Sequence, residues 1–380
     1  MRISITIKAG AALAAASLPY FSFAEICEAG YLLVHKPSDL EIIGRDCTTI
    51  IGDLGFNDTW SGPFILPGVE NITGTIRVEH WQQGRVRQPN VTRVELPDLK
   101  YIYQMDFLFS PAINVSAPKL ESARGIWLGQ ESHGSEAHFP ALREVDMLGF
   151  TGNYSRVEVP VLQRAETLSI CSFANNCGRG DNEERGPSII DPLSITLPSL
   201  KFVRDLFIGG RAASISAPKL ATVNSSAEFQ LPGSPASLEF PKLDHVGNSF
   251  EVEGSISSIH LPSLQNTTAS VKVSSTAPLN VSLPLAGNPR FLGFFGAIEG
   301  ISLPNLTNFQ KLQIHSDLAL DCGPLDDRFE PIAAEIAESD GAGRGRYQCS
   351  STATNSATSS SKPIFAGVMA ALMVAGMGLW

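Results

Sequence analysis

The tetrapeptides Leu197-Pro198-Ser199-Leu200 and Ala217-Pro218-Lys219-Leu220 carry the pattern that decides the fold: an apolar residue, proline, any residue and leucine. Nine tetrapeptides follow this pattern, centred on Pro97, Pro118, Pro140, Pro160, Pro198, Pro218, Pro241, Pro262 and Pro304. Pro67 and Pro284 are variant members, and eight of the ten successive spacings between these prolines are 20 to 23 residues. Such regularity indicates an internal repeat of about 22 residues.

Apolar residues flank each proline with the period of a β-strand. One usually lies three positions before the proline, as Ile195 does, and a pair follows eight and ten positions after it, as Leu206 and Ile208 do. In some repeats this pair is displaced by one residue, as in Val271 and Val273. The alternation predicts two short strands per repeat. The proline lacks the N–H that a sheet ladder needs, so we expect it at a corner.

A unit of about 22 residues with two strands can bury its apolar face only by stacking on its neighbours. The sequence therefore predicts an all-β solenoid with one repeat per coil and parallel sheets along the axis, a rod about 50 Å long. In the ectodomain, 25–349, residues 25–66 are predicted to be an N-terminal cap and 320–349 a C-terminal cap. The repeats occupy 67–319, with an insertion near 171–190, and a short amphipathic helix is predicted from Pro324 to Glu338.

Both ends of the sequence are predicted to be processing signals. Residues 1–24 have a positive start, a short alanine-rich apolar run, and small residues at Ser22 and Ala24. This is typical of a secretory signal peptide, and a buried helix is the alternative. Residues 350–361 form a Ser/Thr-rich spacer, and 362–380 contain an uncharged apolar stretch. That order is typical of a GPI-attachment signal removed on maturation, with a tail-anchored helix as the alternative.

Asn355 is the preferred lipid-attachment residue, with Ser350 and Ser351 as alternatives, because a small residue is required there. These signals predict the secretory pathway and a location at the plasma membrane, the cell wall or both.

The composition and charge exclude two further classes of protein. A 43% hydrophobic content excludes wholesale disorder. Loss of the cations Arg2, Lys8 and Lys362 would take the formal charge from −10 to −13, which argues against nucleic-acid binding.

Cysteines and glycosylation sequons fit an oxidising, extracellular compartment. Six cysteines allow fifteen pairings, and sequence proximity favours Cys27–Cys47, Cys171–Cys177 and Cys322–Cys349. A zinc site is the alternative, but the long spacings and the compartment oppose it. Nine Asn-x-Ser/Thr sequons predict heavy N-glycosylation, at Asn57, Asn71, Asn90, Asn114, Asn153, Asn224, Asn266, Asn280 and Asn305. Several share a repeat position, which predicts glycans on corners of the rod and sheets between them left free for contact.

This combination of signals, Pro-Leu repeats, Cys-closed ends and sequons resembles the fungal GPI-anchored cell-wall organisation proteins, whose repeats are similar to the receptor L-domain. The resemblance covers nearly the whole chain, 1–380. It implies a right-handed β-helical or leucine-rich-type solenoid, a role in wall integrity, and no established catalytic site. The Ser/Thr-rich spacer is short here, so the resemblance leaves open whether the chain stays at the membrane or is transferred to the wall.

No catalytic, metal or cofactor site is predicted from the residues. The stretch from Glu131 to His138 has metal-ligand residue types without the H-E-x-x-H spacing, and no G-x-S-x-G elbow occurs. Arg179-Gly180-Asp181 spells an adhesion tripeptide that often arises by chance. A β-helical enzyme acting on polysaccharide needs paired carboxylates on adjacent coils. We find no recurring Asp pair at corresponding repeat positions.

The function predicted from the sequence is therefore that of a non-catalytic, GPI-anchored glycoprotein in cell-wall organisation. Its expected partners are wall polysaccharide or wall proteins, without nucleic acid. The alternatives are a polysaccharide-active enzyme and an adhesion protein that binds host or neighbouring cells. The sequence leaves the oligomeric state open.

Overall fold

A computed structural model describes residues 3–4, 26–57, 59–79, 89–110, 114–171, 192–265, 267–340 and 346–352. These residues form a parallel β-solenoid of about 12 turns, with about 21 residues in each coil. The fold class and the coil length predicted from the proline spacing are thus confirmed. Ladder pairing joins each coil to the next, so the 23 strands belong to one continuous hydrogen-bonded system.

The strands in chain order are β1 (Ile3–Ser4), β2 (Gly30–Val34), β3 (Thr49–Ile50), β4 (Gly52–Asn57), β5 (Ser61–Ile65), β6 (Asn71–Glu79), β7 (Asn90–Glu95), β8 (Tyr101–Ser110), β9 (Asn114–Ser116), β10 (Ser122–His138), β11 (Glu144–Glu158), β12 (Arg164–Cys171), β13 (Leu193–Thr196), β14 (Phe202–Gly209), β15 (Ala212–Ser216), β16 (Thr222–Val223), β17 (Ser226–Glu239), β18 (His245–Val246), β19 (Ser249–His260), β20 (Ser270–Ser282), β21 (Phe291–Ser302), β22 (Lys311–Ser316) and β23 (Arg346–Ser351). Two helices accompany them in the described residues, α1 (Pro37–Asp46) and α2 (Gly323–Asp340).

The proline of each of the nine matching tetrapeptides lies at the second position of a tight turn. At Pro218, the Leu220 N–H donates to the Ala217 carbonyl at 3.1 Å, and the Ala217 N–H donates to the Glu239 carbonyl of the next coil at 3.0 Å. Proline suits this position because its φ is already fixed and no N–H is needed there. Ala217 and Leu220 are fully buried. The same turn bond is made by the amides of Leu99, Leu120, Leu142, Leu162, Leu200, Leu243, Leu264 and Leu306.

The corners separate two sides of the solenoid. Side A consists of the strand segments that precede the prolines, and side B consists of the segments that follow them. Long strands belong to both: β10 pairs with β11 on side B as far as Gln130, shifts register, and pairs again on side A from Ser135. The predicted apolar pairs point inward on side B, where Leu206 and Ile208 are buried.

The ends of the rod are closed by helices and disulfides. Residues 25–66, predicted as a cap, also contribute coils, because β2 pairs in parallel with β4. In this region α1 replaces a strand and buries Leu40 and Ile43. The disulfide Cys27–Cys47 confirms the first predicted pair. β1, within the predicted secretion signal, pairs with β2.

At the other end, α2 confirms the helix predicted from Pro324 to Glu338. Phe329 of α2 is fully buried against Phe309 and Tyr347, with ring centroids 6.1 and 5.9 Å apart. Burial, together with the hydrogen bond from Tyr347 to Asp326, raises the pKa of the Tyr347 hydroxyl. The disulfide Cys322–Cys349 confirms a second predicted pair.

Several predictions fall on residues that the structure does not describe. Cys171 is disulfide-bonded, but its predicted partner Cys177 lies outside the described residues, as does most of the insertion. Arg179-Gly180-Asp181, the sequon at Asn266, Asn355 and almost all of both processing signals also lie outside them.

The turn geometry predicts different consequences for neighbouring residues of one corner. Leu220→Ala should lower the free energy of unfolding by about 2–5 kcal/mol, because it leaves a cavity between stacked coils. The control Lys219→Ala alters an exposed position of the same turn and should change the stability little. Urea unfolding followed by circular dichroism measures both. Equal losses for the two variants would contradict the assigned turn.

Candidate functional site

Side B carries an unbroken row of outward-facing residues along the whole solenoid. Alternate residues of a strand point to opposite faces, and parallel pairing in register places corresponding residues of successive coils side by side. We call this the central row. It runs through Gly55, Arg77, Asp106, Trp127, Gly149, Ser169, Phe207, Glu228, Glu251, Lys272, Gly293, Gln313 and Gln348. The central row and the outward residues two positions before and after each of its members form the B face.

The sequons lie almost entirely away from the B face. Asn90, Asn114 and Asn280 are exposed on strands of side A. Asn305 is exposed in a corner turn. The prediction that shared sequon positions lie on corners is therefore wrong for Asn71, Asn90, Asn114 and Asn280, because all four are paired strand residues.

The remaining described sequons border side B. Asn71 begins β6, Asn224 is exposed just before β17, and Asn153 lies in β11 where that strand changes register. Asn57 is half-buried at the end of β4, at the N-terminal end of the B face. From Asp106 to Gln348, the described residues of the B face include no sequon asparagine. About ten coils of this face thus carry no attachment point for a glycan.

Trp127 lies flat on the sheet in the N-terminal half of the B face. A β-carbon placed on Gly149, its partner on the next strand, would be 2.2 Å from Cε3 of the indole and 2.4 Å from Cζ3. Only glycine leaves room for the ring at this position. Trp127 is nonetheless partly exposed, so one face of the ring is directed outward.

Phe207 presents a second partly exposed ring, three coil steps further along the central row, a distance of about 14 Å. Its ring edge lies against Gly209, where an added β-carbon would be 2.9 Å from Cε1. The row between Trp127 and Phe207 carries no charge, and neither do most residues beside it. We call this area the uncharged patch; it consists of Gly125, Trp127, Gly129, Met147, Gly149, Thr151, Thr167, Ser169, Phe207 and Gly209.

The central row becomes charged immediately after Phe207. Glu228 and Glu251 lie in register on adjacent strands, followed by Lys272. Partial burial, then the negative charges of Glu251 and Asp205, raise the pKa of the Glu228 carboxyl above its ordinary value of 4.5. Glu251 has a neighbour of each sign, because Glu228 and Lys272 flank it in the row. The two glutamates therefore form an asymmetric carboxylate pair on an open sheet face.

This pair corrects the sequence-based expectation that adjacent coils lack matched acids. Both residues lie ten positions after a repeat proline, Pro218 for Glu228 and Pro241 for Glu251. The equal offset was available in the sequence. In most other repeats that offset belongs to a buried apolar residue, such as Ile208 after Pro198. The one-residue displacement in these coils turns it outward, as it does for Lys272 after Pro262.

The residues considered for metal chemistry are brought together only in pairs. Nδ1 of His138, at the end of the Glu131–His138 stretch, contacts the Glu158 carboxylate on the neighbouring strand of side A, which also pairs with Arg156. Within the described ranges, no group of three or more His, Cys, Asp or Glu side chains is arranged to hold a metal ion. None of the helices in those ranges is long and apolar enough to cross a membrane.

Comparisons with models of known families, with curated proteins and with solved structures find no match to this chain. The residues and geometry of the solenoid are therefore the basis for inferring its function.

The acid pair predicts a pH-dependent gain of stability in a variant. Because the folded state holds the Glu228 proton more tightly than the unfolded state, stability falls as pH rises from about 4.5 through the raised pKa. Glu228→Gln should therefore stabilise the protein at pH 7 by about 0.5 kcal/mol, and the gain should vanish below pH 4.5, where the glutamate is protonated in both states.

Thermal unfolding of both proteins across this pH range measures the difference. The matched control is Glu253→Gln on the next flanking row, whose carboxylate is 3.9 Å from Lys272. It removes an attraction rather than a repulsion, so it should not stabilise. A gain from Glu228→Gln that persists unchanged at low pH would contradict the electrostatic cause.

Proposed function

We propose that this protein is a non-catalytic, GPI-anchored glycoprotein of a fungal cell surface that acts in cell-wall organisation. In this proposal the capped solenoid is a stiff spacer whose glycosylated sides face solvent and whose B face contacts wall polymers or wall proteins. The resemblance in the repeats, processing signals and sequons supports the cellular setting.

The separation of sequons from the B face is the observation that carries the proposal. An N-glycan is bulky and hydrophilic, so it sterically blocks the protein surface around it from binding a partner. Five sequons lie on exposed residues, Asn90, Asn114, Asn224, Asn280 and Asn305. The B face from Asp106 to Gln348 carries none among its described residues. A surface kept clear of glycans over many coils is suited to contact.

The end of the fold supports Asn355 as the attachment residue over its alternatives. Ser351 belongs to β23, and its hydroxyl donates to the Leu318 carbonyl at 2.6 Å and accepts from the Leu320 N–H at 3.2 Å. Ser350 lies in the same strand, paired with His315. Cleavage at either serine would require the last strand to detach. Asn355 follows that strand by four residues.

A polysaccharide-active enzyme is a second candidate, favoured by Glu228 and Glu251. Two carboxylates, one of them with a raised pKa, are the groups that glycoside hydrolysis uses. We place this candidate second because both groups stand on a flat sheet face next to the positive charge of Lys272, whose ammonium is 3.9 Å from the Glu253 carboxylate. Glycosidases lower the activation barrier by several kcal/mol by distorting the bound sugar. A flat face makes too few contacts around a sugar ring to hold it in a distorted shape.

One complementation experiment separates the two candidates. Deleting the gene from the fungus that encodes it should increase sensitivity to wall-binding dyes, and the wild-type gene should restore growth. The double variant Glu228→Gln/Glu251→Gln should restore growth equally, because the proposed role needs no proton transfer. Loss of rescue by a double variant that is displayed normally would favour the enzyme. Unaltered growth of the deletion strain would contradict the wall role itself.

The anchor is tested on intact cells. Phosphatidylinositol-specific phospholipase should move most of the protein from the membrane pellet to the supernatant, because the proposed attachment is a lipid on Asn355. Heat-inactivated phospholipase provides the control. Protein that stays in the pellet but is extracted by detergent would indicate a membrane-embedded tail, and protein released only by glucanase would indicate covalent transfer to the wall.

A further inference from the structure

We propose that the uncharged patch binds an extended chain of an uncharged polysaccharide, with sugar rings stacked on Trp127 and Phe207. This inference rests on the proposed function, since it names the ligand class and the part of the B face that contacts it. Four successive strands of side B, β10, β11, β12 and β14, supply the patch.

The geometry of the rings supports stacking on a flat ligand. The indole of Trp127 lies against the backbone at Gly149, so it offers its opposite face to solvent. The face of an aromatic ring is electron-rich, and the C–H bonds on the face of a pyranose ring are its natural complement. Within the described ranges, cations cover the rings of Tyr103, Phe202, Phe291 and Phe329. Trp127 and Phe207 are not among them, and both rings are partly exposed.

The spacing of the rings argues for a polymer. Three coil steps separate Trp127 from Phe207, about 14 Å, which exceeds the size of one sugar. A ligand that touches both rings must extend along the solenoid axis over the residues between them. Thr151, Thr167 and Ser169 lie in that interval with hydroxyl groups, which both donate and accept hydrogen bonds and so match the hydroxyls of a sugar chain.

Charge selects an uncharged chain over an acidic one. The patch has no charged member, and it is bordered in the central row by Asp106 and Glu228. Asp205, beside Phe207, is paired with Arg204 at 2.9 Å. A polymer with regular carboxylates would meet Glu228 and Glu251 directly after Phe207, where like charges repel. A neutral glucan, chitin or mannan meets no such barrier.

The same patch is poorly suited to a second copy of the chain. A stable protein interface buries roughly 800 Å² on each partner, with an apolar centre. Here the two rings are partly buried and are separated by glycine, serine and threonine positions. That pattern gives a polymer two stacking points with polar contacts between them, and it gives a protein partner no continuous apolar centre.

A single substitution can place a glycan in the middle of the patch. Thr167→Asn creates an N-glycosylation sequon, because Leu168 and Ser169 follow. The position lies on β12, between Met147 of β11 and Asp205 of β14. The full chain is produced in a glycosylating yeast and extracted in mild detergent. It is then pelleted with insoluble β-1,3-glucan, chitin or mannan, and with polygalacturonate gel as the charged probe.

Wild-type protein should bind at least one uncharged polymer, and Thr167→Asn should reduce that binding at least tenfold. The double variant Thr167→Asn/Ser169→Ala keeps the new side chain but lacks the sequon, so its binding should return to within about twofold of wild type. Ser214→Asn, followed by Ile215 and Ser216 on side A, adds a glycan elsewhere and should leave binding unchanged. Mass spectrometry confirms glycan occupancy, and thermal unfolding confirms that each variant folds.

Removing the Trp127 ring tests the same binding site without an added glycan. Trp127→Ala should weaken binding about tenfold through loss of stacking and buried area. The matched control Phe291→Ala removes a B-face ring that Lys311 covers, 5.4 Å away, and should change binding less than twofold.

Several outcomes would overturn the inference. These are wild-type binding to none of the uncharged polymers, binding to polygalacturonate alone, or undiminished binding by a fully glycosylated Thr167→Asn variant. Self-association of wild type that Thr167→Asn abolishes in analytical ultracentrifugation would assign the patch to a second copy. None of these outcomes depends on phospholipase release or on dye sensitivity, so the ligand assignment and the proposed function can fail separately.

Discussion

Burial of apolar side chains against the next coil is the constraint on which the rest of the structure depends. A single coil exposes its Leu and Val side chains on both sides along the axis, and only a neighbour with the same outline can cover them. The corner turn supplies that common outline. Its proline needs no hydrogen bond, its buried leucine points inward, and the amide before the proline reaches the following coil. Nine such corners hold successive coils in one register.

The shared register in turn aligns the outward side chains of successive coils into rows. Because the ladder pairs corresponding residues of adjacent coils about 4.8 Å apart, a substitution in one coil has defined neighbours in the next. Trp127 can lie flat because its row neighbour is Gly149. Glu228 holds its proton more tightly because it is partly buried and because its row neighbour is Glu251. An aromatic, uncharged segment and a carboxylate pair thus lie next to each other on one sheet face. They meet where Phe207 pairs with Glu228.

The proline spacing was sufficient to predict the fold class, the coil length and the stacking direction, because a strong periodic signal recurs in nearly every repeat. The two end disulfides and helix α2 were also predictable, since each depends on residues close in sequence. The B face was not. It depends on how coils align across the 38-residue spacing between Pro160 and Pro198 and across the one-residue displacement after Pro218. α1 was overlooked, although Pro37 at its start and the spacing of Leu40 and Ile43 are typical of a helix.

The buried Phe329 of α2 has a consequence for how many such molecules can coexist at high density. An unfinished solenoid ends in an apolar cross-section and a row of free amide and carbonyl groups, which is a template for another chain to continue the ladder. By packing Phe329 between Phe309 and Tyr347, α2 covers part of that cross-section beside the last strand, β23. This cover opposes end-to-end joining of crowded neighbours into filaments.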